Sequence, residues 1–561
     1  MAILEILYVV GWIAVLWGAS RVYDRTVRKV VQHNLPGPPR ESWLKGNFGQ
    51  LFNSRGWDFH YSLNEKYGSA VKVHGLFGDE QIYVMDPLAL HHIVVKDQEV
   101  FQETATFTNF VVIPSIDTEC SPVFRGLKII FGEGLLATVG EQHRKQRKIL
   151  NPVFSQSHMR NIGPIFQDVA FQLRDMIKLH LSNGSRQIDM LDPISRAALE
   201  IVGEAGFGYS FDALKPNVRS RYAENAKRLI PTVFKLQIVR QFLPLLTKLG
   251  PAWFRRFLID ISPVPPLKEA KRIADTLNEE AMKVYAQKRK ALEIGDQAVI
   301  EEIGGGTDIF GALMRANMSA SEKERLTESE LFGQINTLIF AATDTTTGAI
   351  SRTLFLLASH PEVQERLRQE IVEARENRDL SYDTLSSLPY LDAVCRETLR
   401  LFPPLPFVFR TAISDGVVPL MFPIRGTDGE EIREVHVRDN QNVIIGIGAI
   451  NRSKALWGPD ADEWRPERWL NPLPDALVHA KIPAVYSHLM TFLGGGRSCI
   501  GFKLAQFEMK IVLSVLLEAF SFQLPDDAKI FFPVSTIVAP TTEGHEKEIP
   551  HMPMKVTDLH H

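Results

Sequence analysis

Cys499 lies within Phe492-Leu493-Gly494-Gly495-Gly496-Arg497-Ser498-Cys499-Ile500-Gly501, bracketed by glycines and followed by an apolar run of helical character. Successive glycines let a backbone bend through conformations closed to other residues and approach a flat object closely. A thiolate at the mouth of a helix is stabilised by the helix dipole and by the free N–H groups there. The pattern suits a metal-ligating sulfur held under a planar cofactor; its plain alternative is a glycine-rich turn around a buried structural cysteine. A second stretch, Ala341-Ala342-Thr343-Asp344-Thr345-Thr346-Thr347, sits midway along an apolar, proline-free pattern from Thr327 to about Leu357. A carboxylate among threonines is costly inside a buried helix unless it has partners or work to do. A third, Glu397-Thr398-Leu399-Arg400, puts opposite charges three residues apart on one helix face, just ahead of Pro403-Pro404.

Composition narrows the classes these residues could serve. With a net charge of -3 over 561 residues, no basic excess points to nucleic acid. The length admits several average domains or one large single-core enzyme. Three cysteines, Cys120, Cys395 and Cys499, are too few and too scattered for a disulfide framework or a zinc cluster. That count fits a reducing compartment with one thiol kept for chemistry. HExxH, CxxC and Walker-type patterns are absent from the sequence.

The elements that position these groups can be read in order. Ile6 to Ser20 carries no charge and is followed by Arg21, Arg25, Arg28 and Lys29, which predicts a retained signal anchor over residues 1–30 with the body left in the cytoplasm, in preference to a buried helix or a cleaved signal. Leu35-Pro36-Gly37-Pro38-Pro39 predicts a stiff hinge over residues 31–42, ahead of a body over residues 43–561 expected to carry the chemistry. Val71-Lys72-Val73 and Ile82-Tyr83-Val84 predict a hairpin, and Pro87 opens a short helix. Phe101 to Phe131 reads as an irregular loop. Gln142 to Lys148 is a basic helix on which His143 and Arg147 share a face. Residues 160 to 300 give helical patterns, with Phe234 to Phe257 read as core packing ahead of contact with a membrane surface. Val435-His436-Val437 and Val443-Ile444-Ile445 predict strands.

Taken together and in order, these motifs resemble the cytochrome P-450 family over about residues 35 to 555. Phe492, Gly495, Arg497, Cys499 and Gly501 match F-x-x-G-x-R-x-C-x-G at every specified position. Ala341 to Thr346 is similar to [A/G]-G-x-[D/E]-T-[T/S], with Ala342 in place of glycine, and Pro466-Glu467-Arg468-Trp469 resembles P-x-R-[F/W]. The resemblance implies a mainly α fold with small β-sheets, a long central helix over a haem, and an N-terminal transmembrane anchor helix. It implies Cys499 as the axial ligand of haem b iron, and Arg497 and Arg410 as partners of the haem propionates. Glu397, Arg400 and Arg468 are implied as a buried charge network that braces the cysteine loop. His143 and Arg147 stand where the family has W-x-x-x-R, an imidazole N–H replacing the indole's toward a propionate. Thr345 is implied to hydrogen-bond dioxygen and Asp344 to feed protons toward it through water. Phe107, Phe110, Phe340, Leu405 and Ile537 are implied as an apolar substrate pocket.

What the resemblance implies as a whole is a monooxygenase with a single pass in the endoplasmic reticulum membrane, acting on a lipophilic small molecule. Electrons would come from NADPH–cytochrome P-450 reductase, with cytochrome b5 as a second candidate donor. Arg144, Lys145 and Lys148 are expected either to dock an acidic redox partner or to form a solvated face. His143 and the Asn151-Pro152-Val153-Phe154-Ser155 segment look most like fungal microsomal members, which favours terpenoid-type secondary metabolism. Two alternatives stand beside this. A haem-thiolate isomerase or peroxygenase would need no reductase, and a non-catalytic haem sensor or carrier would need no Asp344–Thr345 pair.

Overall fold

The computed structural model describes residues 34–104, 132–184, 186–215, 221–236, 239, 250–294, 308–377, 380–545 and 549–559. The helices that build the site are α1 (Trp57–Tyr67), α2 (Gly140–Leu150), α3 (Gln156–Ser182), α4 (Leu191–Ile201), α5 (Arg221–Lys235), α6 (Ala252–Ile261), α7 (Pro265–Ile294), α8 (Glu328–Ser359), α9 (Pro361–Asn377), α10 (Pro389–Leu401) and α11 (Phe502–Ala519). Helix α8 starts at a capping box: the Thr327 hydroxyl accepts from the Glu330 N–H, and the Glu330 carboxylate accepts from the Thr327 N–H. Beyond it Leu331, Ile335, Ile339, Ile350, Leu354 and Leu357 are buried, and a helix apolar on so many faces belongs at the centre of a fold. It packs on α4, α7 and α11. Helix α11 follows Cys499 directly and buries Leu504, Phe507, Ile511, Leu513 and Leu516 against α3 and α8. One continuous core therefore holds the helix bearing Asp344 and Thr345 against the helix that Cys499 leads into.

A five-stranded sheet flanks this core. Its strands are β1 (Ala70–His74), β2 (Glu80–Val84), β3 (Phe101–Glu103), β4 (Val408–Ala412) and β7 (Asn442–Ile445), in the order β1-β2-β7-β4-β3. Val443, Ile444 and Ile445 are all buried, as expected for a strand covered on both faces, and β7 runs parallel to β2 and antiparallel to β4. The predicted β1–β2 hairpin is present, with Ala70 opposite Val84. Val435 to Val437 lies in a separate two-stranded hairpin, β5 (Gly416–Arg425) with β6 (Glu431–Val437).

Three segments differ from the sequence reading. Phe101–Glu103 is not irregular: it is the edge strand β3, paired with β4 from Ala412 to Arg410, because a partner distant in sequence supplies its hydrogen bonds. In α6, Trp253 is 63% and Phe257 51% exposed, so core packing does not describe that helix. Its apolar residues spread round more than one face, and only one face can meet α7. Leu35, in the expected hinge, is buried, and the Pro36 carbonyl accepts the Lys72 N–H of β1 (2.9 Å). The expected anchor over residues 1–30, and Phe107 and Phe110, lie outside the described residues. Among the described residues no helix is long and apolar enough to cross a membrane.

Candidate active site

The cysteine loop is closed on itself by a hydrogen bond from the Cys499 N–H to the Phe492 carbonyl (2.8 Å). At Gly495 φ is +67° and an added Cβ would stand 1.7 Å from the Val94 carbonyl oxygen, so no other residue fits there. Burial pushes the Cys499 thiol up, against the pull of the Gly501 N–H at the sulfur and of the Arg147 charge. Its side chain nevertheless keeps accessible surface, so the sulfur opens into an internal recess. At Gly501 an added Cβ would meet only Phe154, at 4.0 Å. Protein packing does not require a glycine there; the bare position leaves the space beside the sulfur clear.

Four side chains gather next to this loop. Arg497 donates to the carbonyls of Leu135 (3.2 Å) and Thr138, and burial lowers it to about 10, with Glu103 opposing and Arg410 and Arg147 adding to the fall. Arg410 is buried and pairs with Glu103 at 3.0 Å. Arg147 donates to the carbonyl and hydroxyl of Ser498 and so grips the residue before the cysteine. His143 is buried and held down at about 3, by burial first and then by Arg497 and Arg147, so its ring is neutral at physiological pH. Three guanidinium charges against the one Glu103 carboxylate leave two in surplus. A surplus of two positive charges on one buried and two half-buried guanidiniums calls for a dicarboxylate.

A second network lies behind the loop. Arg400 and Glu397 are fully buried and meet in a two-pronged pair at 2.7 and 2.8 Å. Arg400 also donates to the carbonyls of Asn451, Ala461 and Glu463, while Arg468 reaches Glu397 at 3.3 Å and Asp460 at 3.0 Å. Trp469 Nε1–H completes the shell on Glu397 at 2.9 Å. Asn451 carries this network to the cysteine loop. Its side chain donates to Thr491 Oγ1 (3.0 Å) and accepts from the Met490 N–H (3.1 Å), two residues ahead of Phe492.

On α8 the Thr345 hydroxyl donates back to the Ala341 carbonyl at 2.7 Å, and Thr343 does the same to Ile339. The helix runs unbroken past Ala342. Asp344 has no hydrogen-bond or ion-pair partner among the described residues. Burial pushes its carboxyl up to about 7, with the Lys227 charge on α5 pulling the other way. The folded chain therefore binds this proton more tightly than the unfolded one. The resulting stabilisation is whole below pH ~4 and is lost as pH rises through about 7. Wild type should lose on the order of 2–4 kcal/mol relative to Asp344→Asn between pH ~4 and ~8, measured by chemical unfolding. Parallel pH profiles for the two proteins would remove the shift.

The cytochrome P-450 family matches residues 36–544 of the chain. The chain belongs to the cytochrome P-450 family. Among its relatives are cytochrome P-450 monooxygenase 91 from Postia placenta, 48% identical over 99% of each chain, and cytochrome P-450 monooxygenase 212 from the same organism, 44% identical over 99% of each. Ganoderic acid synthetase from Ganoderma lucidum is 40% identical over 96% of each. The chain is an enzyme of this monooxygenase class, and the cofactor that the family implies is a haem held by a thiolate.

The P-450 site draws together most residues singled out in the sequence. Cys499, Arg497, Arg147, His143 and Arg410 meet at one recess, and Glu397, Arg400 and Arg468 form one network behind it. Phe492 is buried and its ring lies 5.8 Å from that of Tyr486. Ile537 and Leu405 lie on adjoining segments, since the Val538 N–H donates to the Pro404 carbonyl (2.9 Å). Phe340 is half-buried against the core. Arg144, Lys145 and Lys148 face Glu99, Glu330 and Glu324, so the expected cationic patch is largely neutralised by the chain's own carboxylates. The residues that sequence reasoning missed are Glu103, Asn451 and the Gln146–Glu330–Gln334 cluster tying α2 to α8. Only the last had a local signal, the Thr327-x-x-Glu330 capping pattern.

Proposed function

We propose that this protein is a membrane-anchored monooxygenase that inserts one oxygen atom from dioxygen into a lipophilic, terpenoid-type substrate of secondary metabolism. The residues present fit haem b: an accessible thiol beside a bare Gly501, and a partly buried charge surplus equal to two propionates. Cys499 would supply the thiolate ligand, and Arg497, Arg410, Arg147 and His143 would hold the propionates. When bound, haem supplies the redox chemistry that activates dioxygen, favoured by electron density from the thiolate.

The protein's own part is proton handling and exclusion of water. The observation that carries the monooxygenase reading is the half-buried Asp344 beside Thr345, without a hydrogen-bond or ion-pair partner among the described residues. An acid poised at about 7 holds a proton at Oδ at neutral pH and can still release it through water. Thr345 Oγ1, its hydrogen committed to Ala341, keeps its lone pairs free to accept that proton. Leu405, Ile537 and Phe340 would keep the reacting end of the substrate in an apolar surround. Electrons would come from NADPH–cytochrome P-450 reductase, with cytochrome b5 as an accessory donor. Residues 1–30 would anchor the chain in the endoplasmic reticulum membrane by one pass. The name of the Ganoderma lucidum relative, ganoderic acid synthetase, supports a place in secondary metabolism.

Reconstitution with reductase and NADPH tests this. Thr345→Ala should keep NADPH consumption while product per NADPH falls by about tenfold or more, within the range for general acid–base catalysis. Product formed from hydroperoxide alone, with none from reductase, NADPH and dioxygen, would favour the peroxygenase alternative instead.

A further inference from the structure

We propose that Arg352 is the anion-holding end of the substrate pocket, so that the lipophilic compound this enzyme takes carries a carboxylate. This rests on the monooxygenase reading above. Arg352 follows Thr345 on α8 by seven residues, which returns to the same helix face two turns, or about 10 Å, further along. Its guanidinium lies 3.4 Å from the ring centre of Phe532, 4.3 Å from that of Phe402 and 5.9 Å from that of Phe355. Aromatic faces accommodate a cation's charge but leave its five N–H donors unmet.

No hydrogen bond or ion pair joins Arg352 to any described residue. Its neighbour Arg452 differs in this respect, being paired with Asp462 at 3.3 Å. Burial lowers Arg352 to about 9, with Tyr61 opposing and Arg452 adding to the fall, so it remains charged at neutral pH. Heavily enclosed yet only half-buried by accessible surface, the side chain turns its free edge to an internal space. The surroundings tie that space to the substrate wall. Phe402 leads into Pro403-Pro404-Leu405 and Phe532 leads into Ser535 to Val538. These two segments are joined by the Val538–Pro404 hydrogen bond and rest on α8 at Gly348, where an added Cβ would stand 2.7 Å from the Val538 carbonyl oxygen. Gly348 lies between Thr345 and Arg352. An apolar wall thus connects a proton-handling end with an unpaired cation two turns away, the layout for a molecule with a hydrocarbon body and one terminal carboxylate.

The test is ligand binding to purified holoenzyme by titration calorimetry, with palmitic and abietic acids each compared with its methyl ester. At least one acid should bind about tenfold or more tightly than its ester, as expected for one charge-assisted contact. Arg352→Gln should erase that preference and leave ester affinity unchanged, and Arg352→Lys should retain part of it. Equal affinities of acid and ester in wild type, no binding of either acid, or equal loss of acid and ester binding in Arg352→Gln would overturn the proposal. The wild-type comparison stands even if a variant fails to fold. Failure of the underlying haem-thiolate reading shows separately, as a missing long-wavelength Soret band in the reduced carbonyl form, and does not alter the acid-to-ester ratio.

Discussion

Cys499→Ser is expected to abolish monooxygenase turnover and the long-wavelength Soret band of the reduced carbonyl form, while the polypeptide still folds. The sulfur is reached by one backbone donor, the Gly501 N–H, and a serine oxygen can accept that same hydrogen bond. The loop is shaped by other contacts: the Cys499 N–H on Phe492, the Arg147 grip on Ser498, and the Gly495 turn against Val94. Stability of the cofactor-free variant should therefore stay within about 1 kcal/mol of wild type by denaturant unfolding. A hydroxyl is a far poorer donor of electron density to iron than a thiolate, so the loss lies in the chemistry and not in the fold. A serine variant that kept the band and the turnover would show that the ligand is elsewhere.

Glu397→Gln should act the opposite way, harming the fold first. The carboxylate stands between Arg400 and Arg468, fully buried, and also accepts from Trp469 Nε1–H and the Arg465 N–H. Removing its charge leaves Arg400 without a carboxylate and Arg468 with Asp460 alone, a loss typically of about 3–5 kcal/mol for breaking a buried pair. The midpoint of thermal unfolding should drop by several degrees, and haem content after purification should fall with it. The second effect follows from Asn451, which joins the Arg400 shell to Met490 and Thr491 at the start of the cysteine loop. Glu397→Gln combined with Arg400→Met should cost clearly less than the two single changes added together, because both break one unit. Additive losses, or unchanged haem retention, would show that the network does not support the loop.

What could be read from the chain depended on how locally each feature is encoded. The cysteine loop was legible because its glycines, arginine and cysteine lie within ten residues. The Asp344–Thr345 pair was legible because a carboxylate in an apolar helical run violates the run's own pattern. Glu397, Arg400 and Arg468 could be named as partners, but most of what Arg400 holds are the backbone carbonyls of Asn451, Ala461 and Glu463. Any residue type offers a carbonyl, so these contacts leave no mark in sequence. The same reason hid the grip of Arg147 on Ser498 and of Arg497 on Leu135 and Thr138. Strand β3 was missed because three residues paired only across a long sequence separation show no periodicity. Lys145 and Lys148 showed themselves as charges, whereas the acids that answer them sit near the start of α8, far along the chain.

The clasp between the proline-rich segment and β1 has a bearing on solubility. β1 is the outermost strand of the five-stranded sheet, and an open rim of that kind is a template on which a second molecule can add its own strand. The Pro36 carbonyl occupies the Lys72 N–H, Asn47 pins the Pro39 carbonyl (2.8 Å), and Gly37 approaches so closely that a Cβ would stand 1.9 Å from the Lys72 carbonyl oxygen. Prolines have no N–H to extend the ladder outward, so the segment ends the sheet as well as covering it. N-terminal shortening is therefore tolerable only as far as Asn34. Cutting further strips the guard from the rim and favours self-association through β1.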